Sequence, residues 1–207
     1  MPTRVKVCGI TRIQDALKAS QLGVDAIGMV FVPVSPRYIN AAQAKEIVRE
    51  LPPFVTSVGL FVNPLPQDVL AIIEHLHLDV LQFHGEETPE FCSQFGLPYL
   101  KAVRVKPGVD LVQYAIKFKE AQGLLLDAYV EGTHGGTGQG FDLGLIPKEL
   151  PLPLVLSGGL KPENVAPGIR QVRPWAVDVS SGVEAAKGIK DPVKMAAFMQ
   201  GVRNAEV

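Results

Sequence analysis

The chain has 207 residues, 47% of them hydrophobic and 20% charged, enough to bury the core of one large α/β domain spanning residues 1–207. Its formal net charge of −1 excludes the broad basic footprint of a nucleic-acid or anionic-membrane binder, so a small anionic ligand has to be held locally. No apolar run reaches bilayer length and the opening "MPTRVKVCGI" has no apolar signal core, which leads to the expectation of a cytosolic protein without nucleic-acid or membrane partners.

Short β-rich runs recur along the chain. In order they are "VKVCGI" (5–10), "AIGMVFV" (26–32), "SVGLFV" (57–62), "VLQFHG" (80–85), "YLKAVRV" (99–105), "GLLLDAY" (123–129), "LVLSGG" (154–159) and "AVDVSSG" (176–182). Most are continuously apolar rather than alternating, the pattern of parallel strands covered on both faces. Helix signals fill the gaps. Thr11 and Gln14 fit a capping box with Gly23 as the stop, Asn40 and Asp191 are N-caps, Pro192 sits at a first helical position, and "FDLGLIP" (141–147) reads as a short helix. Eight strand-then-helix units predict a (β/α)8 TIM barrel with a parallel eight-stranded core. A doubly wound open sheet uses the same units, but "CGITR" is no GxGxxG and no phosphate loop of the GxxxxGK[ST] type occurs.

In such a barrel the C-terminal strand ends form one mouth, which gathers Cys8, Arg37, His84, Arg104, Asp127 and Asp178. The turns "SGGLKPENV" and "DVSSGVE" after strands seven and eight predict a phosphate cradle at Gly158, Gly159, Ser180, Ser181 and Gly182, where small residues leave backbone N–H groups open beside helix N-termini. "GTHGGTGQGFD" (132–142) suits a lid or a further phosphate contact. Cys8 and Cys92 form no CxxC pair and the histidines no ligand spacing, so no metal site is expected.

The motifs "KVCGIT", "VSPRYI", "VGLFVN", "LQFHGEE", "KAVRV", "LLLDAY", "GGTGQGFD", "LSGGLKPENV" and "VDVSSGVE", in this order, resemble those of the phosphoribosylanthranilate isomerases of tryptophan biosynthesis. The resemblance implies a TIM barrel and an Amadori rearrangement of N-(5-phosphoribosyl)anthranilate without a cofactor. It implies Cys8 as general base, Asp127 as general acid and Arg37 as partner of the anthranilate carboxylate. His84 orients a neighbour or meets ligand, and Asp178 holds a substrate hydroxyl or braces the strand-eight turn. For Cys8 the following helix N-terminus is expected to favour the thiolate, whereas Cys92 in "TPEFCSQF" reads as core packing.

Three rivals use some of the same features. The histidine-pathway isomerase performs the same type of rearrangement but would place aspartate at position 8, and a Schiff-base aldolase would want a strand-end lysine, which Lys6 and Lys101 are not. A phosphate-binding module without turnover is the third. Apolar barrel-helix faces suit a monomer and a homodimer alike.

Overall fold

The computed structural model describes residues 2–105, 108–127 and 143–205. Eight strands pair in chain order and close on themselves: β1 (Arg4–Cys8), β2 (Ala26–Val30), β3 (Thr56–Phe61), β4 (Val80–Phe83), β5 (Tyr99–Arg104), β6 (Gly123–Asp127), β7 (Leu154–Ser157) and β8 (Ala176–Val179). All neighbours are parallel, and the β1–β8 seam sets Lys6 opposite Asp178. Apart from the sixth, the predicted runs overshoot the strands at their C-terminal ends, where the chain leaves the sheet to build the mouth.

Helices α1 (Ile13–Gln21), α2 (Ala41–Glu50), α3 (Pro66–His75), α4 (Pro89–Ser93), α5 (Leu111–Lys117), α6 (Val165–Val172) and α7 (Pro192–Ala205) surround the barrel. Asn40 and Gln43 form a full capping box on α2, and Asp191 Oδ1 accepts from the N–H groups of Val193 and Lys194 at the head of α7. The box expected at Thr11 does not form. Arg12 caps α1 without a side-chain bond, because the Thr11 hydroxyl donates instead to the Gly188 carbonyl of a distant segment. "FDLGLIP" also falls short of a helix: among its described residues it makes one 3₁₀ turn, Leu143–Leu145. An unexpected antiparallel hairpin, β9 (Glu184–Ala186) and β10 (Ile189–Lys190), follows β8 and turns at Gly188, whose φ is +77°.

Strand alternation splits the buried side chains into two populations. Val5, Val7, Ile27, Met29, Phe61 and Phe83 face outward and pack with helix residues such as Ala16, Ile47 and Val69 to form the main core. Inside the barrel a small plug of Ala102, Leu125, Val155 and Ala176 fills the axis. Above it a second cluster joins Cys8 to Val30 and Leu60. The lid segment expected at 132–142 lies outside the described residues. Among the described residues no helix is long and apolar enough to cross a membrane, and no group of His, Cys, Asp and Glu is arranged to hold a metal ion.

Candidate active site

A cavity of about 510 Å³ opens at the C-terminal ends of the strands. That size suits a small-molecule ligand. Cys8, Arg37, His84, Asp127, Asp178, Gly158, Gly159, Ser180 and Ser181 all line it, although they come from distant parts of the chain. Of the predicted site residues, Gly182 alone is set back from the lining. A side chain there would collide with the Leu160 carbonyl, so Gly182 seats the turn after β8 on the turn after β7.

Cys8 ends β1 and points inward, as Lys6 does two residues earlier. The Lys6 ammonium is buried and donates to Asp178 Oδ1 across the seam at 2.9 Å. Gly28 on β2 makes room for this group: a Cβ there would lie 2.7 Å from Cys8 Sγ and 3.1 Å from Lys6 Nζ. Burial pushes the Cys8 thiol above its ordinary pKa; the Lys6 ammonium opposes this, the Asp178 carboxylate adds to it, and the Lys190 ammonium opposes it again. The favourable charge beside the thiol thus comes from lysines, a correction to the helix-terminus expectation, since α1 begins only at Ile13. Burial also works against the Lys6 cation, but Asp178 and then Cys8 outweigh it and hold its pKa above the ordinary value. Asp178 therefore braces the seam through Lys6 while still lining the cavity.

Asp127 ends β6, between Arg104 on β5 and Ser157 on β7. His84 Nε2 lies 3.4 Å from Asp127 Oδ2, and Gln82 Nε2 lies 3.2 Å from His84 Nδ1. The Gln82 amide and the Asp127 carboxylate thus hold the two ring nitrogens of His84 from opposite sides. Gln82 is fully buried; it orders His84, which meets Asp127.

The Arg37 side chain lies along the backbone of Gly9. Gly9 has φ of +75°, and a Cβ there would come within 2.5 Å of Arg37 Cδ and 3.1 Å of Ser180 Oγ. Glycine is required both by the left-handed conformation and by the contact. Arg37 Nε and Nη2 donate to the two carboxylate oxygens of Glu184, each at 2.7 Å. This bidentate pair holds Glu184 down to about 2 against its own desolvation, with Lys190 assisting.

After β7, Gly158 and Gly159 have φ of +86° and +65°, consecutive left-handed residues that only glycine adopts readily. Asn164 ties this turn down: Oδ1 accepts from Lys161 N, and Nδ2 donates to the Gly159 carbonyl. The expected α6 N-terminus is thus five residues away, behind that Asn clamp, while Ser181 opens a 3₁₀ turn directly at the cavity. Val30, Val32, Leu60 and Val62 supply an apolar wall.

Sequence reading missed Lys6, Gln82, Glu184 and Lys190 as parts of the site. For Lys6 a signal existed, because residues i and i+2 on a strand share a face. Glu184 reaches Arg37 across 147 residues and left no local trace.

The family model described as N-(5'phosphoribosyl)anthranilate (PRA) isomerase matches residues 5–201. N-(5'-phosphoribosyl)anthranilate isomerase of Nitrosospira multiformis is 63% identical over 202 residues, covering 98% of this chain and 97% of that protein. The crystal structure of phosphoribosyl anthranilate isomerase from Thermotoga maritima is 44% identical and superposes with a TM-score of 0.89 over 98% of this chain and 99% of its own. A further structure of phosphoribosyl anthranilate isomerase, in complex with reduced 1-(o-carboxyphenylamino)-1-deoxyribulose 5-phosphate, is 43% identical with a TM-score of 0.87 and the same coverage. Barrel, mouth and relatives agree, and the chain belongs to the N-(5'-phosphoribosyl)anthranilate isomerase family.

Proposed function

We propose that Cys8 is the general base and Asp127 the general acid of an Amadori rearrangement, converting N-(5'-phosphoribosyl)anthranilate to 1-(2-carboxyphenylamino)-1-deoxyribulose 5-phosphate, an aldose–ketose isomerisation of tryptophan biosynthesis. The observation that carries this reading is the placement of Cys8 and Asp127 on β1 and β6, three steps apart around a closed eight-stranded ring and facing one cavity. The protonated Asp127 carboxyl gives its proton to the furanose ring oxygen as the C1–O bond breaks, and the arylamine lone pair forms the C1=N iminium. The Cys8 thiolate then takes the proton from C2. The released electron pair forms the C1=C2 enolamine and neutralises the iminium, and the enolamine tautomerises to the ketone.

Each end of the substrate has a matching partner. The turns at Gly158–Gly159 and Ser180–Ser181 receive the phosphate, Arg37 receives the anthranilate carboxylate, and the aromatic ring lies against the Val30–Leu60 wall. An aspartate has a reference pKa of about 3.9, so the acid form needs help. Substrate covering the mouth desolvates Asp127, and the two anionic ends of the substrate oppose its ionisation, while the His84 ring beside Oδ2 keeps the carboxyl oriented. For Cys8 the Lys6 ammonium stabilises the thiolate form against burial.

The test is turnover of N-(5'-phosphoribosyl)anthranilate, followed by loss of its fluorescence, in the wild type, Cys8→Ala and Asp127→Asn. Fast turnover in the wild type, with kcat lowered by about 10²–10⁴ in either folded variant, is expected. Binding of the reduced product without any turnover by the wild type would instead identify a binding barrel.

A further inference from the structure

We propose that Glu184 is a positioning residue for arylamine carboxylate recognition: it clamps one edge of the Arg37 guanidinium so that the other edge is presented to the substrate. The inference rests on the reading that Arg37 receives that carboxylate.

A guanidinium has two edges suited to a carboxylate fork, one through Nε and Nη2 and one through Nη1 and Nη2. Glu184 occupies the first edge with two bonds of 2.7 Å. The second edge has no protein partner among the described residues, and Arg37 lines the cavity. Glu184 itself is not part of the cavity lining. Its Oε1 also accepts from Lys190 Nζ at 3.0 Å and from Gly188 N at 3.3 Å, and its side chain is 6% exposed. It is therefore a brace and not a base.

The brace is anchored on several sides. Glu184 and Lys190 are register partners in the β9–β10 hairpin, Lys190 Nζ also donates to the Ser180 carbonyl, and Lys190 N donates to Asp15 on α1. Lys194 Nζ donates to the Glu184 carbonyl. The hairpin thus fixes the carboxylate, the carboxylate fixes the guanidinium, and the bare backbone of Gly9 admits the Arg37 stem. Charge completes the arrangement: one carboxylate between Arg37 and Lys190 leaves this trio with a net positive charge, so Arg37 keeps its attraction for an anion.

Charge and positioning give opposite predictions. Removing the Glu184 charge makes the surroundings more positive, which by Coulomb attraction alone tightens binding of a carboxylate; loss of orientation loosens it. Calorimetry with two ligands separates them: the reduced product, and its anilino counterpart carrying hydrogen in place of the carboxylate. In Glu184→Gln the preference for the carboxylated ligand is expected to fall by about tenfold while affinity for the anilino ligand stays unchanged. An undiminished or increased preference in Glu184→Gln overturns the inference. Arg37→Met is measured in parallel and is expected to abolish the preference. If Arg37→Met retains it, the Arg37 reading fails and takes the inference with it; if Arg37→Met abolishes it and Glu184→Gln does not, the inference alone fails. Should Glu184→Gln not fold, Glu184→Asp, which keeps the charge beside Lys190 but withdraws the fork by one methylene, is read by the same criteria.

Discussion

Cys8 and Cys92 each have a buried lysine and a buried carboxylate for neighbours. Inside the barrel the trio is Cys8, Lys6 and Asp178; behind the barrel wall it is Cys92, Lys101 and Glu87. In both, burial raises the thiol pKa, to about 12 for Cys92, and the lysine opposes the rise. In both, a lysine–carboxylate bond of 2.8 or 2.9 Å closes the group. The difference lies in which face of a strand the lysine occupies. Lys6 points to the axis and stands beside a thiol that lines the mouth. Lys101 points outward under the Phe118 ring, and besides Glu87 it bonds the Gly85 carbonyl in the loop carrying His84. The same chemistry thus flanks the proposed base in one place and anchors a loop in the other, and access to the cavity separates the two.

The largest expected effect is on turnover. Cys8→Ala should lower kcat by about 10²–10⁴ while Cys92→Ala leaves kcat within about twofold, a contrast that steady-state assays of the two folded variants would read directly. Equal losses would erase the distinction between the trios. Next comes stability: Lys101→Met strands the Glu87 carboxylate in the core and should cost about 3–5 kcal/mol by urea unfolding, with the pH profile of the remaining folded enzyme unmoved.

A third prediction concerns acid. The folded-state pKa of Glu184 is depressed to about 2, so its contribution is fully present above its ordinary value and is lost as pH falls from the ordinary carboxylate range toward that value. Unfolding free energy should therefore drop by roughly 3 kcal/mol over that window, and Glu184→Gln should flatten this limb of the curve. The smallest effect sharpens the comparison most. Burial lifts the Cys8 pKa above its ordinary value, so kcat/KM of the wild type should still be rising in the alkaline range. Loss of the Lys6 ammonium destabilises the thiolate, so Lys6→Met should carry that limb to higher pH. A limb left in place would remove Lys6 from the chemistry.

Much of this was legible in the residues. Eight apolar runs separated by caps and glycine stops foretold a closed ring of parallel strands, because strands buried on both faces need no alternation. Strand-end positions then located Cys8, Asp127, Arg37 and the two glycine–serine turns at one mouth. What escaped were contacts made across the chain. The Thr11 capping box was a sound local signal that lost to a longer-range partner, Gly188, in a hairpin too short to show any periodicity. Glu184 stands 147 residues from the Arg37 that the fold brings against it, so nothing in its own segment announces the pair. Lys6 was judged by its distance from the strand end, when the pleat, which sets it on the same face as Cys8, was the deciding fact.

Gly182, seated on the Leu160 backbone, has a consequence of its own. It packs the turns after β7 and β8 against each other, so the conformational entropy of two loops is surrendered when the protein folds and, on the proposed reading, not when a phosphate arrives. The proposed phosphate site is then preorganised, and the two turns cannot be varied independently. A bulkier residue at 182 would have to be accompanied by a rebuilt 158–161 turn, so these segments are expected to covary through evolution and to transplant between barrels only as a pair.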